Sequence, residues 1–313
     1  MVGYDPKKNL SELDYIFAGS ASGFITRLFC QPLDVLKIRF QLQVEPTMKK
    51  YASNSKYQSI FQATKLIVKE EGIRALWKGH IPGQLLSITY GFAQFSTFEV
   101  LTKQAAHLGA TGKWNTVVNF SCGLFAGCTA TLVSFPFDVV RTRLVAQSYE
   151  QKSYKGVIHA FGVITKNEGR MVLFRGVVPT FIQVGPHAGF QFMFYKIFIN
   201  FYKTFISDEN STLSSSVFAG SAAGFCAKIA VYPFDLVKKR LQISGFNRGK
   251  TFGHNFSCNG MMNCIYRIYK KEGYIAFFKG LNASLVKAVA TSALHFSSYE
   301  VICETIHKYR SIS

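Results

Sequence analysis

Pro32-Leu33-Asp34-Val35-Leu36-Lys37-Ile38-Arg39 is the stretch that decides the fold, because close variants of it recur twice in the chain. The recurrences are Pro-Phe-Asp-Val-Val-Arg-Thr-Arg at 136–143 and Pro-Phe-Asp-Leu-Val-Lys-Lys-Arg at 233–240. The three prolines lie 104 and 97 residues apart, and self-similarity at a nearly fixed period is the signature of a repeat architecture. We therefore predict three repeats, 1–107, 108–208 and 209–313.

Two glycine motifs recur in step with the proline motif. A Gly-x-x-x-Gly pair ends nine residues before each proline, at Gly23, Gly127 and Gly224. Downstream of each proline, a Glu-Gly pair precedes an aromatic–Lys/Arg–Gly tripeptide, within 71–79, 168–176 and 272–280. One Gly-x-x-x-Gly pair is a weak signal of helices packed closely in lipid, but three in register with two other motifs support the repeats.

The composition indicates an ordered, apolar and basic chain. Among 313 residues, 36 Lys and Arg oppose 17 Asp and Glu, yet 48% of residues are hydrophobic and only 17% are charged. A disordered tail or a dense basic nucleic-acid binder has fewer apolar residues and longer charge runs. The seven cysteines form no Cys-x-x-Cys pair, so we expect reduced thiols rather than disulfides or a metal site.

Each repeat contains two long apolar stretches joined by a hydrophilic connection, which includes a short amphipathic segment such as 57–69. A helix of about 20 apolar residues spans a bilayer, and each long stretch reaches that length. The stretches are 13–40, 80–102, 116–144, 177–202, 213–241 and 281–306. The predicted fold is an all-α membrane protein with six transmembrane helices in three pseudosymmetric repeats, each with a short amphipathic helix on the inner side.

The charge of the connections predicts the topology. Connections 41–79, 146–176 and 243–280 carry 7, 5 and 6 Lys or Arg against 3, 2 and 1 Asp or Glu. The positive-inside rule places these connections on the inner side of the membrane. Six spans then leave both termini on the outer side.

The triplicated Pro-x-Asp-x-x-Lys/Arg motif, with its later Glu-Gly and aromatic–Lys/Arg–Gly motifs, resembles the mitochondrial carrier family over essentially the whole chain. Stretches 37–43, 90–95 and 278–288 resemble members that carry thiamine pyrophosphate. The resemblance implies a transporter of the mitochondrial inner membrane that brings this substrate into the matrix by alternating access, in exchange for nucleotides. It also implies both termini in the intermembrane space and a bilayer partner that includes cardiolipin. We expect a monomer with no cofactor and no bound nucleic acid.

The resemblance further implies an inner gate on the matrix side, formed by interhelical ion pairs. The pairs are Asp34–Arg141, Asp138–Lys238 and Asp235–Lys37. Gln41 and Gln242 share a helix face with the gate residues and are expected to brace them, whereas Val145 occupies the corresponding position in the second repeat. The competing interpretation is three intrahelical pairs worth ~0.2–0.5 kcal/mol each, and their triplication at span ends favours the gate.

The outer gate departs from the family pattern. Glu99 and Glu300 lack the base that should follow them, and Lys196 stands where an acid is expected. We expect Lys196 to pair with Glu99 or Glu300 at best, so that no ring of three outer pairs forms.

Substrate contacts are expected near the middle of the even-numbered spans, where residues i, i+4 and i+8 share one face. The candidates there are Leu86, Tyr90, Gln94, Gln183, Val184, His187 and Lys287. Among them, the resemblance implies Leu86, Gln183 with Val184, and Lys287 as principal contacts. Polar residues inside a span indicate a water-filled path, although helix–helix hydrogen bonds would explain single amides equally well.

Three basic residues suggest an anionic substrate. Arg27 and Lys228 each lie seven residues before a gate acid, which is nearly two helical turns along the same face. With Lys287 they form three cations for which the sequence shows no matching mid-span acids, and we expect Lys287 to be unpaired. Such a cluster suits a di- or triphosphate.

Two alternative functions remain at this point. A carrier for another phosphorylated metabolite, such as an adenine nucleotide or a coenzyme A type compound, would use the same basic path. A soluble helical-repeat protein that binds nucleic acid would explain the net charge of +19, but the basic residues lie mainly in connections rather than along the helices. An enzyme is not expected, because the chain lacks a phosphate-binding glycine loop, a metal set and a nucleophile with a partnering base.

Overall fold

The computed structural model describes residues 11–44, 55–107, 115–147, 153–206, 212–246 and 257–312. Within these residues the regular structure is helical and contains no strand. The α-helices are α1 (Glu12–Leu42), α2 (Ile60–Glu71), α3 (His80–His107), α4 (Asn115–Ala146), α5 (Val157–Asn167), α6 (Val177–Ile206), α7 (Thr212–Gln242), α8 (Met261–Glu272) and α9 (Leu281–Ile312).

The order long helix, short helix, 3-10 turn and long helix occurs three times. The 3-10 turns cover Ile73–Trp77, Arg170–Phe174 and Tyr274–Phe278. The predicted all-helical fold and the three short helices are therefore confirmed, with α2 beginning three residues later than the predicted amphipathic segment. The repeat boundaries remain predictions, because 108 and 208–209 lie outside the described residues, as does the N-terminal stretch 1–10.

The first helix shows that the proline motif lies inside a long helix and not at its end. Ser11 caps α1 and forms a capping box with Asp14, from whose backbone N–H its side chain accepts a hydrogen bond. Pro32 lies inside α1, where it removes one backbone donor without ending the helix. Pro136 and Pro233 occupy the same place in α4 and α7.

The six long helices form a closed ring. Helix α3 packs along α4, α6 along α7, and α9 along α1, and smaller contacts between α1 and α3, α4 and α6, and α7 and α9 complete it. The proline-bearing helices α1, α4 and α7 also contact one another. This arrangement agrees with the expected convergence of the three motif-bearing helices.

Each short helix packs against the proline-bearing helix of its own repeat through a separate apolar cluster. The three clusters correspond position by position. Their matching members are Tyr57, Ala63 and Ile67 in the first repeat, Tyr154, Ala160 and Ile164 in the second, and Cys258, Cys264 and Ile268 in the third.

Among the residues that the structure describes, one stretch, Val117–Ala146 of α4, is both long and apolar enough to cross a membrane by length and composition alone. The other long helices interrupt their apolar stretches with charged, amide and small residues, as Arg27 does in α1. The six predicted spans are therefore six long helices of mixed polarity.

Glycines with positive φ place the second long helix of each repeat, which is α3, α6 or α9, against the proline-bearing helix of the next repeat. Gly176, with φ of 93°, precedes α6, and a Cβ at this position would lie 3.0 Å from the Lys238 carbonyl oxygen. Gly280 precedes α9, and its Cβ would lie 3.1 Å from the Lys37 carbonyl oxygen. Only glycine permits both this φ and this approach.

We expect Gly176→Ala to destabilise the protein more than Gly169→Ala. Both glycines have positive φ, so both substitutions incur backbone strain of about 1–2 kcal/mol. A Cβ at Gly169 meets nothing within 4 Å, whereas one at Gly176 meets the α7 backbone. Thermal unfolding of the detergent-solubilised protein measures the difference, and equal losses for the two variants would contradict the close approach.

Candidate functional site

Three carboxylates join the proline-bearing helices at one end of the ring of helices. Each accepts an ion pair from a different helix. The nitrogen–oxygen distances are 2.7 Å for Arg141–Asp34, 2.7 Å for Lys37–Asp235 and 2.9 Å for Lys238–Asp138. All three predicted contacts are present, and we call these six residues the charged ring. The competing arrangement of three intrahelical pairs does not occur here.

Each carboxylate of the charged ring also contacts a second cation. Lys287 Nζ lies 2.5 Å from Asp34, Lys239 Nζ lies 2.8 Å from Asp138, and Lys228 Nζ lies 3.5 Å from Asp235. Two cations for each acid compensate for the removal of these nearly buried carboxylates from water. The closed end therefore contains three acid groups and six basic ones.

The expectation that Lys287 is unpaired is wrong. Thr291 donates to the Cys30 sulfur at 3.4 Å, which holds α9 against α1 and brings Lys287 to Asp34. Lys228 likewise reaches Asp235, two turns away on its own helix. The sequence suggested no acid for these lysines because the gate acids had already been assigned to other partners.

Arg27 ties α1 to α3. Its guanidinium donates to the Gly83 carbonyl oxygen at 2.6 Å and also contacts the Ser87 hydroxyl. It interacts electrostatically with Asp34 and Arg141 as well. Arg27 therefore lies beside the charged ring, as predicted, but it is anchored by neutral oxygen atoms of α3.

The two glutamines contact the charged ring. Gln242 donates to Asp138 at 2.8 Å, and Gln41 donates to the Tyr232 hydroxyl at 3.1 Å and reaches Asp235 at 3.5 Å. Val145, at the corresponding position of the second repeat, is fully buried and offers no such group. Gln31 fills this role from α1, because its side-chain oxygen accepts from Arg141 at 3.1 Å. The Asp34–Arg141 pair, for which Val145 supplies no brace, is thus braced from another position.

Lys239 is the residue that the sequence analysis missed. Its ammonium donates to Asp138, to the Thr142 hydroxyl at 3.0 Å and to the Gln242 side-chain oxygen at 3.1 Å. The corresponding residues of the other repeats are Ile38 and Thr142, so a lysine here distinguishes the third repeat. This difference between the three copies of the motif is the feature of the sequence from which Lys239 could have been identified.

The remaining candidate contacts lie on α3 and α6. Leu86, Tyr90, Gln94, Gln183 and His187 are half-buried, whereas Val184 is 59% exposed. The His187 ring interacts electrostatically with Lys228, which in turn interacts with Lys287. Basic groups from α6, α7 and α9 therefore share one region next to the charged ring.

The predicted outer contacts are not formed in this structure. Glu99 pairs at 2.6 Å with Lys103 on its own helix, and both side chains are about two-thirds exposed. Lys196 and Glu300 are exposed, and neither makes an ion pair among the described residues. The structure is thus joined at the charged ring and lacks these interhelical ion pairs at the opposite end.

A second layer of ion pairs holds the short helices. The guanidinium groups of Arg39, Arg143 and Arg240 are fully buried and bind Glu71, Glu168 and Glu272 respectively, through two hydrogen bonds each. Burial raises the pKa of Glu71, but the hydrogen bonds and positive charges of Arg39 and Lys78 lower it by a larger amount. The pKa of Glu71 therefore lies below the ordinary value of a glutamate. These glutamates orient the short helices by binding the neighbouring long helix.

Comparison with known proteins follows the same threefold pattern. Residues 8–107, 112–205 and 209–310 each match the family profile described as mitochondrial carrier protein. The chain is 44% identical over 314 residues to the mitochondrial thiamine pyrophosphate carrier of Macaca fascicularis, covering 98% of this chain and 97% of that protein. The Homo sapiens protein of the same name is 43% identical over the same shares. The mitochondrial thiamine diphosphate carrier 2 of Zea mays is 37% identical, covering 97% of both chains.

The Lys239 contact predicts how a charge reversal in the ring should behave. In Asp138→Lys with Lys238→Asp, the new ammonium at position 138 lies beside Lys239 in a buried site, so we expect a lower unfolding temperature. Adding Lys239→Thr, the residue found at the equivalent position of α4, removes that repulsion and should recover part of the loss. Breaking a buried pair costs about 3–5 kcal/mol, so thermal unfolding in detergent can resolve the series.

Lys239→Thr alone is the control for this series, and it should lower the unfolding temperature in the otherwise native ring. An equal unfolding temperature for the double and triple variants would contradict the assigned role of Lys239.

Proposed function

We propose that this chain, which belongs to the mitochondrial carrier protein family, carries thiamine pyrophosphate across the mitochondrial inner membrane. The alignments with the relatives that are named for this substrate cover nearly the whole of both chains, which supports the same substrate for this protein. The observation that carries the proposal is the placement of the phosphate-binding candidates Lys228 and Lys287 directly on the acids of the charged ring.

We assign the six long helices to six membrane spans, and their length and surface support this assignment. They contain 28 to 32 residues each, which corresponds to about 42–48 Å against a hydrocarbon thickness of about 30 Å. Large apolar side chains are exposed along them, for example Phe17, Phe120 and Phe192 at 64%, 72% and 73%. Lipid is the surroundings in which such surfaces are stable. One chain encloses the whole path in this arrangement, so a monomer suffices.

The substrate's anionic end matches the basic groups beside the charged ring. Thiamine pyrophosphate has a diphosphate group and a cationic thiazolium ring. We assign the diphosphate to Arg27, Lys228 and Lys287, because charged donors bind phosphate oxygens at about 1.5–3 kcal/mol per contact. The planar fork of Arg27 and the point charges of the lysines suit such a group.

Binding of the diphosphate would act on the closed end itself. Lys287 and Lys228 each neutralise a ring acid in the closed structure, so phosphate oxygens compete with Asp34 and Asp235 for the same ammonium groups. Each acid then retains a single interhelical cation. Because a substrate shifts an equilibrium only through its differential affinity for the two states, this competition is a means of coupling binding to opening.

The aromatic end is assigned to the half-buried residues of α3 and α6. A tyrosine face attracts a cationic ring with roughly 0.5–2 kcal/mol, which makes Tyr90 the candidate for the thiazolium. Gln94, Gln183 and His187 supply hydrogen-bonding groups for the pyrimidine, and Leu86 and Val184 supply apolar contacts. These contacts tune selectivity between thiamine pyrophosphate and other phosphorylated compounds.

Alternating access requires closure at the opposite end. We assign Lys196, Glu99 and Glu300 to contacts that form only when the charged ring opens. The ring then faces the matrix, both termini lie in the intermembrane space, and nucleotides serve as exchange substrates. Nucleotides also present phosphates to the same cations.

A cavity of about 520 Å³ between the first and third repeats is a candidate lipid site. Ser59, which caps α2, and Leu281 and Asn282 at the start of α9 line it, together with Lys279. Backbone N–H groups at helix N-termini favour a phosphate. We assign this cavity to a cardiolipin headgroup on the matrix side.

The direct test of the proposed function is transport by purified protein in liposomes. We expect uptake of thiamine pyrophosphate, accelerated by internal nucleotide, and none of free thiamine, because thiamine lacks the diphosphate that the basic groups bind. A panel with adenine nucleotides and coenzyme A compounds separates the alternative carriers. Uptake of free thiamine at the rate of the pyrophosphate would overturn the assignment.

Lys287→Ala should raise the KM for thiamine pyrophosphate by about 10-fold to 100-fold, as expected from the loss of one charge-assisted phosphate contact. Asp34 retains Arg141 in this variant, so the closed ring persists. Lys239→Thr is the matched control, because it also removes a lysine from a ring acid but from a site with 7% exposure. It should change the maximal rate rather than KM, and equal KM effects for the two variants would refute the role of Lys287.

A further inference from the structure

The third repeat differs from the other two beneath its short helix. The apolar cluster of the first repeat pairs Tyr57 with Ala63, and that of the second pairs Tyr154 with Ala160. The third cluster has Cys258 and Cys264 instead. Both members of a large-and-small pair are thus replaced by thiols, in one repeat only.

Backbone contacts establish that these positions are equivalent. Gln43 exchanges hydrogen bonds with the backbone of Tyr57, and Gln147 does so with Tyr154, at 3.0–3.3 Å. Ser244 exchanges the same two bonds with Cys258, at 2.7 and 3.0 Å. The Cys258 side chain therefore leaves the backbone at the position from which the Tyr57 and Tyr154 side chains leave it in the other two repeats.

The substitution also changes the surroundings of the buried arginine. Arg39 donates to the Tyr57 hydroxyl at 3.2 Å, and Arg143 donates to the Tyr154 hydroxyl at the same distance. In the third repeat the corresponding guanidinium, Arg240, interacts electrostatically with both thiols. A positive charge beside a thiol favours the thiolate, which is the reactive form.

Cys258 and Cys264 are both buried in the one apolar cluster beneath α8, and their side chains interact with each other there. The hydrogen bond from Cys264 lowers the pKa of Cys258, and the charges of Arg267 and Arg240 lower it further against the effect of burial. The same hydrogen bond and burial raise the pKa of Cys264. Cys258, which is 8% exposed, is therefore the attacking group, and the fully buried Cys264 is its resolving partner.

We propose that Cys258 and Cys264 form a redox modification site, in which a disulfide closes between the start of α8 and the segment that precedes it. The co-reactant is a low-molecular-mass disulfide of the glutathione type. The Cys258 thiolate attacks one of its sulfurs and releases a thiolate, and Cys264 then loses its proton and displaces the second thiol. Two protein thiols are oxidised to one disulfide, and one small disulfide is reduced to two thiols.

Closure of this bond ties α8 to the segment held by Ser244, beside the Arg240–Glu272 pair. The site lies in the third repeat alone, so oxidation would stiffen one short helix and leave the other two unchanged. This proposal is independent of the transported substrate, because neither thiol belongs to the charged ring.

The test uses the folded full-length protein in detergent, exposed to glutathione disulfide and then alkylated. Both cysteines lie in one tryptic peptide, 251–267, which contains no other cysteine. We expect this peptide to lose two hydrogen atoms and to resist alkylation, and dithiothreitol should restore both thiols. Cys226, a half-buried thiol of α7, should remain fully alkylated and serves as the internal control.

Two variants complete the test. Cys258→Ser should leave Cys264 alkylatable after oxidation, because the attacking thiol is absent. Cys258→Tyr with Cys264→Ala restores the pair of the other repeats and should fold without any response to oxidation. Full alkylation of both thiols in the oxidised native protein, a stable glutathione adduct at Cys258, or a bond that forms only after unfolding would each overturn the proposal.

Discussion

Three carboxylates that would otherwise be buried without compensation are the constraint on which the closed structure depends. Asp34, Asp138 and Asp235 lie where the proline-bearing helices meet, each with less than a tenth of its surface exposed. An isolated carboxylate in such a place would be very costly, so each requires cations from other parts of the chain. Each acid has an ion-pair partner on another proline-bearing helix, and these three interhelical contacts close the ring.

The second layer of pairs has a different purpose. Arg39, Arg143 and Arg240 bind glutamates of their own repeats, so these contacts hold each short helix to its long helix without joining one repeat to the next through the ion pair itself. A bidentate guanidinium–carboxylate contact fixes orientation as well as distance. The guanidinium groups of Arg143 and Arg240 also donate to backbone carbonyl oxygens of the next repeat, at Gln242 and at Gln41 and Gln43 respectively, so this layer orients the short helices and joins the repeats at the same time.

The sequence predicted those features that recur in register and missed those that do not. The three ring pairs followed from the resemblance to the mitochondrial carrier family, which rests on a motif that recurs three times, because spacing within one helix carries no information about its partners on another. Lys239 was missed because its position in the motif varies, and the contact of Lys287 with Asp34 was missed because it depends on how α9 lies against α1. Spacing establishes which residues share a face of one helix, whereas the distance between faces of two helices depends on packing, here set in part by Gly176 and Gly280.

The second cations also make the three contacts of the ring unequal. Lys287 and Lys228 are partly exposed, so a phosphate can reach them and draw them from Asp34 and Asp235. Lys239 is almost fully buried among Asp138, Thr142 and Gln242, so a substrate in the path has no access to it. The second cation of the contact between α4 and α7 is therefore less accessible than those of the other two contacts. Its hydrogen-bonded cluster of four side chains distinguishes this contact from the other two.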